Sequence, residues 1–346
     1  MKIFFDIGHP AHVHYFKNLI YSLNINHKNL IHVYARDKDV SLDLLNTYKI
    51  NFINRGKGSN RFFGKFIYMI RIVIKLSFDV KKIKPDCLVS FNSPYFSIIS
   101  KIFNIDHFCF NDTEHAKIGN IFSSSFSNYI ITPDCFTKDY GEKHVKFRSY
   151  MEFSYLSAKY FKPNKNILNK LKENTSDQYI LFRFVSWNAA HDFGYKGMTL
   201  SQKIKLVGHL EKYAKIYISS EDELPKELDK YKLPCSPEEM HSVLSFADLF
   251  IGEGATMASE CAVLGTPAIY INKLSAGTLN DQASRGLITQ FENYDFSLVA
   301  EKAKSLLCDN LEINKLKDSH KKMIKEKIET TDFMIDLLKK TKNKLT

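Results

Sequence analysis

Between Phe246 and Ile271 the chain reads FADLFIGEGATMASECAVLGTPAIYI. A short apolar run ends on Gly252, a glycine turn follows, and a helical stretch from Met257 to Leu264 leads to Gly265-Thr266-Pro267. A second apolar run, Ala268 to Asn272, comes directly after. Two apolar runs joined by a helix pair as parallel neighbours, since a hairpin leaves no room for the crossover. Gly265 ends the helix and Pro267 bars its continuation. Parallel strands are buried on both faces, so this string commits its half of the chain to a sheet covered by helices.

The same turn suits a ligand. Gly252 and Gly254 permit a tight turn and close approach of the backbone. A helix beginning near Thr256 offers free N–H groups and the positive end of its dipole, which together favour a phosphate. Glu260 lies one turn in, where a carboxylate can accept from both hydroxyls of a ribose. The plainer alternative is an ordinary strand-to-helix turn.

Strand and helix alternate along most of the chain. The first half predicts strands at Lys2–Ile7, Leu30–Ala35, Ile50–Asn54, Asp86–Phe91, His107–Asn111 and Tyr129–Thr132. Helices are expected at Ala11–Leu23, Phe62–Lys82 and Tyr95–Phe103. The rhythm fails over Tyr140–Asn169, the expected inter-domain connection. It resumes with strands at Tyr179–Phe184, Lys215–Ser219, Leu249–Gly252 and Ala268–Asn272, and helices at Leu200–Tyr213, Met240–Phe246 and Met257–Leu264; helices alone are expected from there on. The expected domains are 1–150 and 151–325, with 326–346 a terminal helix packing back on the first. Two doubly wound, parallel-sheet halves make the cleft between them the default ligand site.

Composition narrows the classes. Of 346 residues, 44% are hydrophobic and 25% charged, which excludes a disordered chain. Arg71 and Lys75 break the longest apolar stretch, Phe66 to Phe78, so no segment is expected to span a bilayer. Asp6 interrupts the N-terminal apolar run too early for a signal peptide. None of the six cysteines forms a CxxC pair, as expected of reduced thiols in a cytoplasmic protein. The net charge of +11 admits nucleic acid, an anionic membrane face or an anionic small substrate. Scattered Lys in a chain rich in Asn, Ile and Phe equally reflects genome base composition. No nucleic-acid motif is present, so nucleic acid is not an expected partner.

The segment Met240 to Pro267 resembles the donor-binding segment of glycosyltransferases with two Rossmann-like domains, the GT-B fold. It is most similar to the N-acetylglucosaminyl transferases that make lipid II. The shared elements are Met240, Ala247-Asp248, Gly254-Ala255, Glu260 and Gly265-Thr266-Pro267. The resemblance implies that Glu260 holds the ribose, that Gly254, Ala255 and Thr256 hold the diphosphate, and that residues near Pro237 and Met240 line the base. It implies, less directly, that Asp281 and Gln282 contact the donor sugar. The glycosyltransferases have a Gly-Ser-rich loop where this chain has Arg183-Phe184-Val185-Ser186-Trp187. Arg183 there can clamp the diphosphate in place of backbone donors, with Ser186 beside it, or serve as a structural ion-pair partner. Over most of its length the chain also resembles a family catalogued as domain of unknown function 354. The shared stretches are Asp6–Asn18, Ala35–Asp39, Asn111–Ala116, Arg183–Asp192 and the GATMASE segment.

In the first half, Gly8-His9-Pro10-Ala11-His12-Val13-His14 follows a strand and opens a helix. Gly8 is a candidate binding residue. A helix turns His12 and His14 apart, so no metal site is expected. His12-Val13 falls on the His-Val of the lipid II transferases, which implies that His12 sits near the acceptor hydroxyl or donor phosphate. Neutral imidazole can take a proton there; a helix cap or a core histidine is the alternative. Asp112 and Glu114, beside His115, can form a base with an orienting group, or Asp112 or Thr113 can cap a helix. Phe62–Lys82 places Arg71, Lys75 and Lys82 on one side, either to meet an anionic membrane or as the solvated basic side of a packed helix.

The expectation is therefore a GT-B type enzyme, independent of metal and cofactor. It would move a sugar from a nucleoside diphosphate sugar, UDP-linked, to an acceptor hydroxyl on a sugar, lipid-linked or not, in cell-surface polysaccharide or glycolipid synthesis. Domain closure and peripheral contact with the inner membrane face are expected alongside. The first alternative is a UDP-N-acetylglucosamine 2-epimerase. Those enzymes carry a Gly-Thr-Arg-Pro-Glu loop after the first strand and paired Glu after the glycine turn, where this chain has Gly8-His9-Pro10 and Ser259-Glu260. A non-catalytic nucleotide-sugar or nucleic-acid binder is the second.

Overall fold

The computed structural model describes residues 1–25, 29–59, 62–172, 174, 177–185 and 197–345. Contacts divide the chain into two compact units, Met1–Tyr155 with Ile328–Thr346, and Leu156–Lys327.

The first unit carries strands β1 (Lys2–Ile7), β2 (Leu30–Ala35), β3 (Ile53–Asn54), β4 (Cys87–Phe91), β5 (Asp106–Phe110), β6 (Tyr129–Pro133) and β7 (His144–Phe147). Its helices are α1 (Pro10–Asn24), α2 (Ser41–Thr47), α3 (Phe62–Ile83), α4 (Pro94–Phe103) and α5 (Lys117–Phe126); α6 (Phe153–Leu156) straddles the boundary. The strands form one parallel sheet in the order β3-β2-β1-β4-β5-β6-β7. The order reverses between β1 and β4, which opens a crevice at their carboxyl ends. Ile3, Phe4, Phe5 and Ile7 of β1 are fully buried, as a central strand covered on both faces requires. Asp6 breaks that run. Its carboxylate lies 2.7 Å from the Arg55 guanidinium and accepts from Ser93 Oγ at 2.5 Å. A buried carboxylate persists only when so paired.

Helix α3 packs Ile72, Leu76 and Val80 against Phe4, Leu88 and Phe96. Its outer side is not simply basic: large apolar residues lie there beside Arg71 and Lys75.

The second unit carries α7 (Leu168–Leu171), β8 (Tyr179–Phe184), α8 (Leu200–Leu210), β9 (Lys215–Ser220), α9 (Met240–Phe246) and β10 (Leu249–Gly252). It continues with α10 (Ala255–Leu264), β11 (Ala268–Ile271), α11 (Gly277–Ser284), β12 (Ile288–Phe291), α12 (Phe296–Cys308) and α13 (Asn310–Glu326). Its parallel sheet runs β12-β11-β10-β8-β9, with the reversal between β8 and β10. Helix α14 (Thr330–Leu345) belongs to the first unit. Thr330 and Thr331 donate their hydroxyls to the carbonyls of Tyr150 and Ser154, each at 2.8 Å, and Met334 and Leu338 are buried.

Two strands depart from expectation. β7 lies inside the stretch read as a connection, and β12 lies where only helices were expected. Both are four-residue edge strands with polar residues among the apolar ones. No helix of the described residues is long and apolar enough to cross a membrane.

Candidate functional site

In the second unit the crevice forms where Arg183, at the end of β8, stands opposite Gly252, at the end of β10. Gly254 follows as the N-cap of α10, in extended conformation, and no side chain among the described residues caps the helix. Gly254, Ala255, Thr256 and Met257 are half-buried. Among the described residues no side chain bonds to the first N–H groups of α10, an arrangement suited to an anion.

The glycines serve reasons other than left-handed backbone, which neither Gly252 nor Gly254 adopts. A Cβ on Gly252 would lie 2.5 Å from Phe250 Cζ. A Cβ on Gly254 would meet only Val185 Cγ1, at 3.4 Å. Gly265 does take the left-handed turn, φ 82°, that ends α10.

Glu260 is buried one turn and a half into α10, with Oε1 3.1 Å from Nε2 of His241, itself buried on α9. Met240 opens α9 half-buried, and Pro237 is exposed in the short turn before it. Gln282 is fully buried against α10, donating Nε2–H to Ser259 Oγ at 2.9 Å; its Oε1 has no partner among the described residues. The Asp281 carboxylate pairs with Arg285 at 3.1 Å and with Lys327 at 3.4 Å. The Arg183 guanidinium donates to Ser219 Oγ at 2.7 Å and to Glu221 at 3.0 Å, the partners that the ion-pair alternative calls for. Ser186, with Trp187, His191 and Asp192, lies outside the described residues.

Glu253 escaped the sequence reading, although an acid between two glycines at a strand end was the available signal. It is buried, accepts from the Met198 N–H at 2.6 Å, and pairs with Lys203 at 3.2 Å. Its own carbonyl accepts from Asn272 Nδ2 at 3.0 Å. It thereby ties the glycine turn to the start of α8 and the end of β11.

In the first unit the ends of β1, β4 and β5 gather a second cluster. His9 is the N-cap of α1, accepting from the Ala11 N–H, and Pro10 fills the first helical position. His12 Nδ1 accepts from the Gly8 N–H at 3.2 Å. Its ring lies 4.8 Å from Phe91 and stacks on Tyr15 at 6.2 Å. Burial, then the charges of His9, Lys38 and Arg55, hold its pKa well below the ordinary value. A neutral ring whose Nδ1 accepts keeps its proton on Nε2. In that tautomer His12 can donate a hydrogen bond from Nε2. His14 goes elsewhere, stacking on Tyr155 at 5.3 Å.

Asp112 follows β5 and accepts from Thr113 Oγ1 at 2.8 Å and from the Tyr15 hydroxyl. Burial, reinforced by the neighbouring Glu114, pushes its pKa up to about 6. Glu114 accepts from the Thr137 N–H at 3.3 Å. Neither Asp112 nor Thr113 caps a helix, since α5 starts after Ala116 without a side-chain cap. An amide network fixes this loop instead. Asn92 and Asn111 donate to Asn120 Oδ1 at 2.9 and 2.8 Å, and Asn120 donates to the Glu114 carbonyl at 3.0 Å. A Cβ on Gly119 would come within 2.6 Å of Asn92 Nδ2. Gly119→Ala is expected to cost about 1–3 kcal/mol by displacing Asn92. Urea unfolding checks this, and an unchanged midpoint would mean that Asn92 moves without loss.

Two Rossmann-like units, each built on a parallel sheet with a topological switch point, define a protein of the GT-B fold class. The chain belongs to the DUF354 family, described as proteins of unknown function, whose model matches residues 1–340. An uncharacterized protein of Methanocaldococcus jannaschii, MJ0665, is 25% identical over 282 residues, 78% of this chain and 81% of that one. The UDP-GlcNAc 2-epimerase of Neisseria meningitidis, bound to UDP-GlcNAc, superposes with a TM-score of 0.70 at 11% identity, over 98% of this chain and 100% of that one. The glycosyltransferase VinC in complex with dTDP gives 0.65 at 10% identity, over 98% and 99%. Similar folds thus include both epimerases and glycosyltransferases.

Proposed function

We propose that the chain is a glycosyltransferase that moves a sugar from a UDP-linked donor to an acceptor hydroxyl, in cell-surface polysaccharide or glycolipid synthesis. The observation that carries this reading is the uncapped N-terminus of α10 at the β8/β10 switch point, with the buried Glu260–His241 pair just behind it. The N–H groups of Ala255 and Thr256 take the diphosphate, and close approach at Gly254 admits it. Glu260 takes the ribose hydroxyls, while Met240 and Pro237 border the base. Gln282 offers its buried amide to the sugar. The acceptor belongs to the first unit. Its hydroxyl oxygen attacks the anomeric carbon, Asp112 receives the hydroxyl proton, and the bond to the diphosphate breaks with its electrons going to that leaving group. The dipole of α10 stabilises the charge that develops there. His12 donates from Nε2 to an oxygen of substrate. The site lies on the cytoplasmic side, where the six free cysteines stay reduced.

A thermal-shift panel of nucleoside diphosphate sugars tests the donor class. A ligand at 100 times its Kd adds about 2.7 kcal/mol of stability. Glu260→Ala removes two charge-assisted bonds and is expected to weaken the preferred donor about 10–100-fold. A variant that binds donors as the wild type does would leave Glu260 a structural partner of His241 and no more.

The epimerase is the competing reading, because solved structures of that class share this fold. Epimerisation needs carboxylates poised beside the donor. Glu253, the second acid of the glycine turn, is spent on Met198 and Lys203. Incubation with UDP-N-acetylglucosamine alone separates the two: conversion without acceptor favours the epimerase, and inertness without acceptor favours the transferase.

A further inference from the structure

Helix α3 carries a face that no described residue of the fold covers. Its 22 residues make a rod of about 33 Å. One side goes to the core. On the other, Phe66 is 54% exposed, Ile67 66%, Ile70 44%, Ile74 52% and Phe78 69%. These positions recur at helical three- and four-residue spacing, so they line up as one stripe. In the same helical layer, α4 and α5 add Ile102, Ile118 and Ile121, each more than half exposed. Single exposed apolar residues are ordinary on a protein surface, but a stripe of five on one helix is not.

The charge beside the stripe is of one sign. Arg71, Lys75 and Lys82 fall along one flank, one or two turns apart, and all three are exposed. The only acid in α3 is Asp79, which accepts from the Tyr34 hydroxyl at 3.1 Å. A second copy of the chain is a poor occupant. A two-fold interface on this face would set Arg71 and Lys75 against their own equivalents. An anionic lipid surface satisfies both features. Apolar side chains enter the boundary between headgroups and acyl chains, and the basic flank meets the lipid phosphates.

We infer that the outer face of α3 seats the protein on an anionic membrane surface. The inference stands on the surface alone and is independent of the reaction. Flotation with vesicles tests it on the full chain. Vesicles mixing phosphatidylglycerol with phosphatidylcholine should bind at least tenfold more protein than phosphatidylcholine alone, and rising salt should reduce the difference. Replacing Ile67, Ile74 and Phe78 together by Ser should lower binding at least tenfold without lowering the melting temperature, because all three side chains are exposed. The pair Arg71→Glu and Lys75→Glu should abolish the preference for anionic vesicles. The inference is overturned by absent binding to anionic vesicles at low salt, or by equal binding of the triple variant. It is likewise overturned by a dimer in sedimentation that the triple variant dissociates.

Discussion

Asp112→Asn is expected to lower turnover about 10²–10⁴-fold, the usual contribution of a positioned general base, while making the chain more stable at neutral pH. Asn keeps the size of Asp and an oxygen for Thr113 and Tyr15, but it cannot accept the acceptor's proton. The stability effect follows from the raised pKa. Burial and Glu114 make the folded chain hold the Asp112 proton more tightly than the unfolded chain does. The favourable contribution of protonated Asp112 is complete below the ordinary value of 3.8 and is lost as pH rises through about 6. Above that window the ionised carboxylate destabilises the fold, and Asn should restore on the order of 1 kcal/mol. Activity runs the other way, falling in the wild type as pH drops through the same window. Turnover against pH, with thermal melts of both proteins at pH 5 and pH 8, checks both halves. A variant with wild-type turnover would remove Asp112 from the chemistry. One less stable at pH 8 would mean that the carboxylate is held by more than Thr113 and Tyr15.

The central strands were legible in the sequence because strands buried on both faces are written as nearly unbroken apolar runs: KIFFDI, YILFRF, LFIG and AIYI. The edge strands were not. HVKF and ITQF are short, and half of each carries Lys, His, Thr or Gln, so they read as loops. The run Ile50–Asn54 shortened to the pair Ile53–Asn54 for the same reason, at the opposite edge of its sheet. The glycine turn stood out as a candidate because a strand end, two glycines and a helix start follow one another directly in the sequence. Side chains that act through distant partners were not legible. Arg183 finds Glu221 at a separation of 38 residues, Glu253 finds Met198 at 55, and Asn92 finds Asn120 at 28. A sequence shows that Arg183 can bind a phosphate, but not that Glu221, just past the next strand, stands within reach of it. Nor does it show that burial lowers the pKa of His12 and raises that of Asp112.

Gly254→Asp separates the structural and functional meanings of the α10 terminus. The backbone at 254, φ −94° and ψ 122°, is one that Asp adopts readily, and its Cβ would meet only Val185 Cγ1 at 3.4 Å. An Asp there caps the first turn of α10 with its own carboxylate. That should leave stability unchanged or raise it by a few tenths of a kcal/mol over Gly. The same carboxylate occupies the N–H groups assigned to the diphosphate and sets a negative charge against it. Losing about 3 kcal/mol of charge-assisted bonding corresponds to a fall of roughly 100-fold or more in UDP affinity. Calorimetric titration of UDP into the wild type and into Gly254→Asp is the most direct measurement. The account predicts saturable binding to the wild type and its loss in a variant that melts no lower; UDP binding of equal strength in both would contradict it.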